Sequence, residues 1–209
     1  MFPNRSGASN KGRTFAPQPL TPAEVAALIG QCSVRSATGI RNRAMITLLY
    51  RSGLRVSEML AVRTADVNLA KHSIRLLDTK AGEPQTRGFH PSADDALMRW
   101  MDCRRSRGIR GGPLFCTLAG TELSSVYVRN MLHRIGAQAG IEKRVHPHGL
   151  RHTFAAELDA AGASLSVISK LLGHSSVPTT ARYLDHLTNG QAVTALQGVV
   201  LPDLATISP

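Results

Sequence analysis

Glycines close one helical segment after another along this chain. Gly30, Gly53, Gly140, Gly162 and Gly173 each follow a run with apolar residues at three- and four-residue spacing, the pattern of short helices, and the last four are placed as C-terminal stops. Thr21-Pro22-Ala23-Glu24 supplies a capping hydroxyl, a proline at the first helical position and a carboxylate three residues after the cap, so a helix is expected from there to Gly30. A second is expected over Arg41 to Arg51, with Ala44, Met45, Leu48 and Leu49 on one stripe and Tyr50 packed beside it. Further helical patterns lie at about 92–106, 124–138, 149–161 and 165–172, with Ser92 as the cap before Asp94 and Asp95.

Only the middle of the chain reads as sheet. Ser73 to Asp78 and Thr86 to His90 flank a Lys-Ala-Gly-Glu-Pro turn, and Pro113 to Cys116 is expected to add a third short strand. The fold class is therefore mainly α with a small antiparallel β-sheet (α+β). Residues 1–19 are rich in Gly, Ser, Asn, Pro and basic side chains and are expected to form a disordered basic tail; 20–198 make the domain, and 199–209 a C-terminal tail.

At 209 residues the chain suffices for one domain with a real core, and its net charge of +11 exceeds what solubility requires. A polyanion is the first partner to consider, and nucleic acid leads. No apolar run approaches the roughly 20 residues of a membrane span, and the first residues do not resemble a signal peptide; a cytoplasmic, nucleoid-associated location with no membrane partner is expected. Cys32, Cys103 and Cys116 are far apart and lack C-x-x-C spacing, so they read as core thiols.

Chemistry concentrates in His146-Pro147-His148-Gly149-Leu150-Arg151-His152. A helix beginning near His148 places Arg151 and His152 on its face, three and four residues on. The H-x-H-x-x-x-H spacing allows a metal site, but an arginine within it would repel a dication. The other reading is an anion site, built from imidazole and guanidinium donors and free N–H groups at a helix start. Arg55, in Gly53-Leu54-Arg55-Val56-Ser57-Glu58, begins another helix with Glu58 one turn on, either as a surface pair or as an oriented cation. His174 after Leu171-Leu172-Gly173, and Tyr183 in a polar setting, would each read as structural if taken alone.

Taken together and in order, G-L-R-V-S-E at 53–58, His148 and Arg151 as H-x-x-R, L-L-G-H at 171–174 and T-T-A-R-Y at 179–183 resemble the tyrosine recombinase (phage integrase) family. The resemblance covers about Leu20 to Leu187 and corresponds to the family's catalytic-domain fold. Members usually carry a core-binding domain before it. That domain is expected to be absent here, naturally or by truncation, in a short form similar to the small DNA invertases that switch fimbrial genes.

The resemblance implies a site-specific recombinase that cuts and rejoins DNA through a 3′-phosphotyrosine, for integration, excision or inversion. Arg55, His148, Arg151 and His174 would bind the scissile phosphate, Tyr183 would be the nucleophile, and Lys80 the general acid, with Glu58 and His152 supporting them. Glu83 and Pro84 stand where members usually show a second basic residue, and Lys71 and Arg87 are nearby substitutes. Arg129, Asn130 and Arg134, on a predicted helix, are candidate DNA contacts. Double-stranded DNA is the expected partner, bound by a homo-oligomer, a tetramer, with Gln191 to Leu196 available either to dock on a neighbour or to pack within its own subunit. No metal, nucleotide or other cofactor is implied. The alternatives are a non-catalytic DNA-binding remnant or accessory protein, and a type IB topoisomerase-like relaxing enzyme.

Overall fold

The computed structural model describes residues 18–77, 84–173 and 196–197. Lys80, His174, Tyr183, the expected disordered tail up to residue 17, residues 191–195 and the final tail lie outside them.

Seven α-helices and a three-stranded sheet make up the described residues. The first helix, α1 (Pro22–Gly30), is capped by Thr21, whose side chain accepts from the Glu24 N–H while Glu24 Oε2 accepts from the Thr21 N–H. The second, α2 (Ala37–Ser52), begins four residues earlier than its apolar stripe predicts, because the Ser36 hydroxyl caps it by accepting from the Gly39 N–H. Gly53 ends it at φ 62, and Cβ at that position would meet Phe154 and Leu172 side-chain carbons at 2.7 Å.

This helix is buried almost all round. It packs against α4 (Asp94–Ser106) and α6 (Pro147–Ala160), and several of its polar residues go inside, where they find an acceptor or donor. Arg41 Nη1 donates to the Cys116 carbonyl and the Ser52 hydroxyl to that of Leu48. Tyr50, fully buried, donates to the Glu157 carboxylate, and burial together with that carboxylate drives its phenol well above the usual range.

The sheet is antiparallel in the order β1 (Val67–Asn68), β2 (Ser73–Leu76), β3 (Gln85–Gly88), with Ile74 opposite Arg87. The expected third strand at Pro113 to Cys116 is not one. Proline has no N–H to give a ladder, and the Leu114 carbonyl is taken by the Trp100 indole N–H at 2.8 Å. Two isolated bridges, Arg63 to Pro113 and Cys116 to Glu122, remain. Ser92 does not cap α4 either: it lies inside a 3-10 turn, Pro91–Ala93, where His90 Nδ1 accepts from the Ser92 N–H. Cys32 and Cys116 are core thiols as expected, whereas Cys103 is only half-buried.

Short α3 (Val56–Ala61) packs against α5 (Ser125–Gln138), and α6 against α7 (Leu165–Leu172). A second apolar cluster joins Phe154 and Leu158 of α6 to Ile168, Leu171 and Leu172 of α7 and to Leu196 near the end of the chain. Leu196 is fully buried there, and the Gln197 side-chain amide donates to the Lys71 carbonyl at 3.3 Å. Each such apolar side chain contributes about 1.5–3 kcal/mol on leaving water. Leu196 and Gln197 therefore pack within their own subunit.

A candidate phosphate-binding site

Three segments that are far apart in sequence meet at one side chain. Arg151, on the inner face of α6, is 5% exposed. Its Nη1 donates to the Gly53 carbonyl at 2.5 Å and its Nη2 to the Leu172 carbonyl at 2.7 Å. The first carbonyl lies two residues before Arg55 and the second two before His174. The arginine of H-x-x-R thus ties G-L-R to L-L-G.

Arg55 is the residue preceding α3, with extended backbone at φ −68 and ψ 150. An arginine has no acceptor with which to cap a helix, so Glu58 supplies the link. Its Oε2 accepts from the Arg55 N–H and its Oε1 from Arg55 Nη1, both at 2.7 Å. The guanidinium is held by its own helix and stays half exposed.

His148 sits in the first turn of α6, after Pro147 at the first helical position. It is exposed, and its Nε2 lies 2.9 Å from Nε2 of the half-buried His152, so one ring is the donor and the other the acceptor. His146 instead turns back to the Arg144 carbonyl at 2.9 Å. Desolvation lowers the His148 pKa, and His152, Arg151, His146 and Arg55 push the same way. Its ordinary state at neutral pH is therefore the uncharged imidazole.

Below this pair the electrostatics are strongly positive. Burial, then Arg55 and Arg87, bring the Arg151 pKa down to about 10, against the opposing pull of Glu58. Arg87, on β3, is buried as well, and burial followed by Arg55 lowers its pKa while Glu58 raises it. Among the described residues, Arg55, Arg87 and Arg151 thus form one cluster around the carboxylate of Glu58. Such a site repels cations and attracts an anion that can accept several N–H bonds at once. Among the described residues no group of three or more His, Cys, Asp or Glu is placed to hold a metal ion.

The structure brings together Arg55, Glu58, His148, Arg151 and His152 among the residues singled out in the sequence. It leaves Arg129, Asn130 and Arg134 on the solvent face of α5, joined to the cluster by no hydrogen bond or ion pair among the described residues. Arg87, read from the sequence only as a substitute for Lys80, emerges as a member. Its signal was position: it is two residues from the half-buried Gln85 on the same face of β3, the face turned toward the body. The carbonyl partners of Arg151 carry no sequence signal.

Comparison with known proteins agrees with this geometry. The model of the phage integrase family matches residues 18–189. Tyrosine recombinase XerD of Ralstonia nicotianae is 36% identical over 184 residues, covering 87% of this chain and 60% of the relative. Tyrosine recombinase XerC of Rhodospirillum centenum is 34% identical over 178 residues, 84% of this chain and 52% of the relative. The chain thus spans somewhat over half the length of these relatives. Among solved structures, the XerA recombinase has a TM-score of 0.70 at 28% identity, over 90% of this chain and 65% of that one. The XerH site-specific recombinase bound to its difH substrate gives 0.66 at 25%, over 80% of this chain and 50% of that one. Matched over most of its length, and with the arginines and histidine of the matched motifs converging in three dimensions, the chain belongs to the phage integrase family of tyrosine recombinases.

Proposed function

We propose that this chain cuts and rejoins double-stranded DNA at specific sites, through a covalent 3′-phosphotyrosine on Tyr183. The observation that carries the reading is the Arg151 clamp on the Gly53 and Leu172 carbonyls. It holds Arg55, His148 and the chain leading to His174 to one anion-binding centre.

In the reaction, the Tyr183 oxygen attacks phosphorus and the bond to the 5′ oxygen breaks. The five-coordinate phosphorus carries added charge on its non-bridging oxygens, which Arg55, Arg151, His148 and His174 would hold. A phenol with pKa near 10 costs about 4 kcal/mol to ionise at pH 7, and the surrounding guanidiniums lower that cost. Lys80 would donate a proton to the leaving 5′ oxygen, a step worth about 10²–10⁴ in rate. The phosphodiester is conserved as a phosphotyrosyl ester, so a second DNA end with a free 5′ hydroxyl reverses the attack without a nucleotide.

Arg129, Asn130 and Arg134, exposed on α5, would contact DNA, and a tetramer on paired sites would complete recombination in the cytoplasm, on the nucleoid. No helix among the described residues is long and apolar enough to cross a membrane. The test is incubation with nicked suicide DNA from around the gene, followed by a denaturing gel. A DNA-linked band from the wild type, lost in Tyr183→Phe with DNA binding retained, is the expected result. A folded, DNA-binding wild type that forms no adduct, even when a core-binding domain is supplied, would overturn the reading in favour of a non-catalytic DNA-binding protein. Relaxation of supercoils without recombinant products would point instead to topoisomerase-like turnover.

A further inference from the structure

Arg87 differs from the buried arginines that hold this fold together. Arg104 Nη2 donates to the carbonyls of Gly111 and Pro113 at 2.7 and 3.0 Å, and its Nη1 to the Thr64 hydroxyl. Arg41 reaches the Cys116 carbonyl, the Asn42 side-chain oxygen and the Tyr127 hydroxyl. An Nε without a partner is common to both, but their terminal nitrogens are satisfied by several oxygens. Arg87, with 6% of its surface exposed, has one bond, from Nη2 to the side-chain oxygen of Gln85 two residues away on its own strand, at 2.5 Å. Among the described residues its Nη1 and Nε have none.

Its position is equally telling. The guanidinium lies so close over Gly173 that a Cβ there would overlap its Nη2 and Cζ and sit 2.8 Å from Nε. The glycine of L-L-G-H therefore makes room for this cation immediately before His174. Among the described residues no carboxylate bonds it: Glu58, the acid that favours its charge, has both oxygens engaged by Arg55. Arg41 and Arg104 each have backbone carbonyl partners, whereas Arg87 has none among the described residues. A cation left with open donors next to two more guanidiniums is arranged for an anion that arrives from outside.

We propose that Arg87 is a third guanidinium of the phosphate-binding centre, donating from Nη1 and Nε to the DNA phosphate that Arg55 and Arg151 hold. The inference rests on reading the site as one for a DNA phosphate. It assigns Arg87 a task different from that of Lys80, since a guanidinium stays protonated and serves as a fixed donor rather than as an acid.

The test compares wild type, Arg87→Met and Arg87→Lys by two readouts. One is the melting temperature with and without inorganic phosphate, which reports anion binding without chemistry. The other is the initial rate of adduct formation on nicked DNA. Expected for Arg87→Met is a melting temperature in the absence of phosphate at or above that of the wild type. The phosphate-induced rise should fall by at least half, and the adduct rate by about 10²-fold, the usual effect of losing one positioned donor. Arg87→Lys, which keeps the charge but not the fork, should lie between them. If both variants melt lower and keep the full phosphate-induced rise, Arg87 is a strut and the proposal is overturned. If no adduct forms even with wild type, yet the phosphate response still depends on Arg87, the anion-site assignment stands while the strand-transfer reading falls.

Discussion

Replacing Arg151 by lysine tests the clamp on which the site is built. The arginine gives two charge-assisted bonds to buried carbonyls, at 2.5 and 2.7 Å, each contributing about 1.5–3 kcal/mol. Against this stands the cost of its own charge. A pKa brought down to about 10 by burial and by Arg55 and Arg87 corresponds to roughly 3 kcal/mol against the folded state at neutral pH. A lysine retains the charge but cannot reach both carbonyls, so one bond is lost, about 1.5–3 kcal/mol. For a domain of this size the melting temperature should drop by roughly 3–12 °C. Arg151→Met loses both bonds, about 3–6 kcal/mol, but is relieved of the roughly 3 kcal/mol charge cost. It should melt no lower than the lysine variant, although its catalytic loss should be the larger. Circular-dichroism melts at neutral pH, run beside the adduct gel, decide the matter. A lysine variant with wild-type melting temperature, or a methionine variant far below it, would refute this balance between hydrogen bonds and buried charge.

Two more predictions follow from the same centre. Gly173→Ala should cost about 1–2 kcal/mol for its left-handed backbone, at φ 65, and more for the collision with Arg87. In an Arg87→Ala background only the backbone cost should remain, so chemical denaturation of the four proteins should give strong non-additivity, and simple additivity would contradict the close approach. His148 predicts a pH dependence. Its folded pKa lies below the unfolded value of 6.5, so the unfolded chain binds more protons in the interval between them. Stability should be complete above 6.5 and decline as pH falls through the lower, folded pKa. His148→Asn should show a shallower acid decline, and an unchanged decline would place the titration elsewhere.

The helices were legible wherever local chemistry sets their ends. The Thr21 and Glu24 capping box, and the left-handed glycines at 53, 140, 162 and 173, mark boundaries that need no tertiary information. The third strand was misread because β-propensity in Leu114-Phe115-Cys116 describes burial as readily as pairing, and the Trp100 indole decides which it is. The near-complete burial of α2 was hidden because Arg41 and Arg51 look like surface residues until their partners in other elements are known. Those arginines also qualify the inference from composition. Arg41, Arg51 and Arg104 are buried within the fold, so the +11 of the chain overstates the charge available for phosphate contacts and the salt dependence it would produce. Within the site, the motif residues with exposed or half-exposed side chains were legible one by one. What makes them a centre was not, because backbone carbonyls at Gly53 and Leu172 leave no trace in residue identity.

The burial of Leu196 changes what kind of device carries the proposed nucleophile. Gly173 ends α7, and Leu196 is seated against α6 and α7, so whatever path the intervening chain takes, both its ends are pinned to α6, which carries Arg151, and to the α7 packed on it. Tyr183 lies ten residues along the chain from Gly173, a reach of at most about 36 Å. The backbone of the proposed nucleophile therefore lies within that distance of Gly173, next to the Leu172 carbonyl that Arg151 holds. Leu196 is a second fixed point, so the chain that carries the tyrosine is anchored to the same body at both ends.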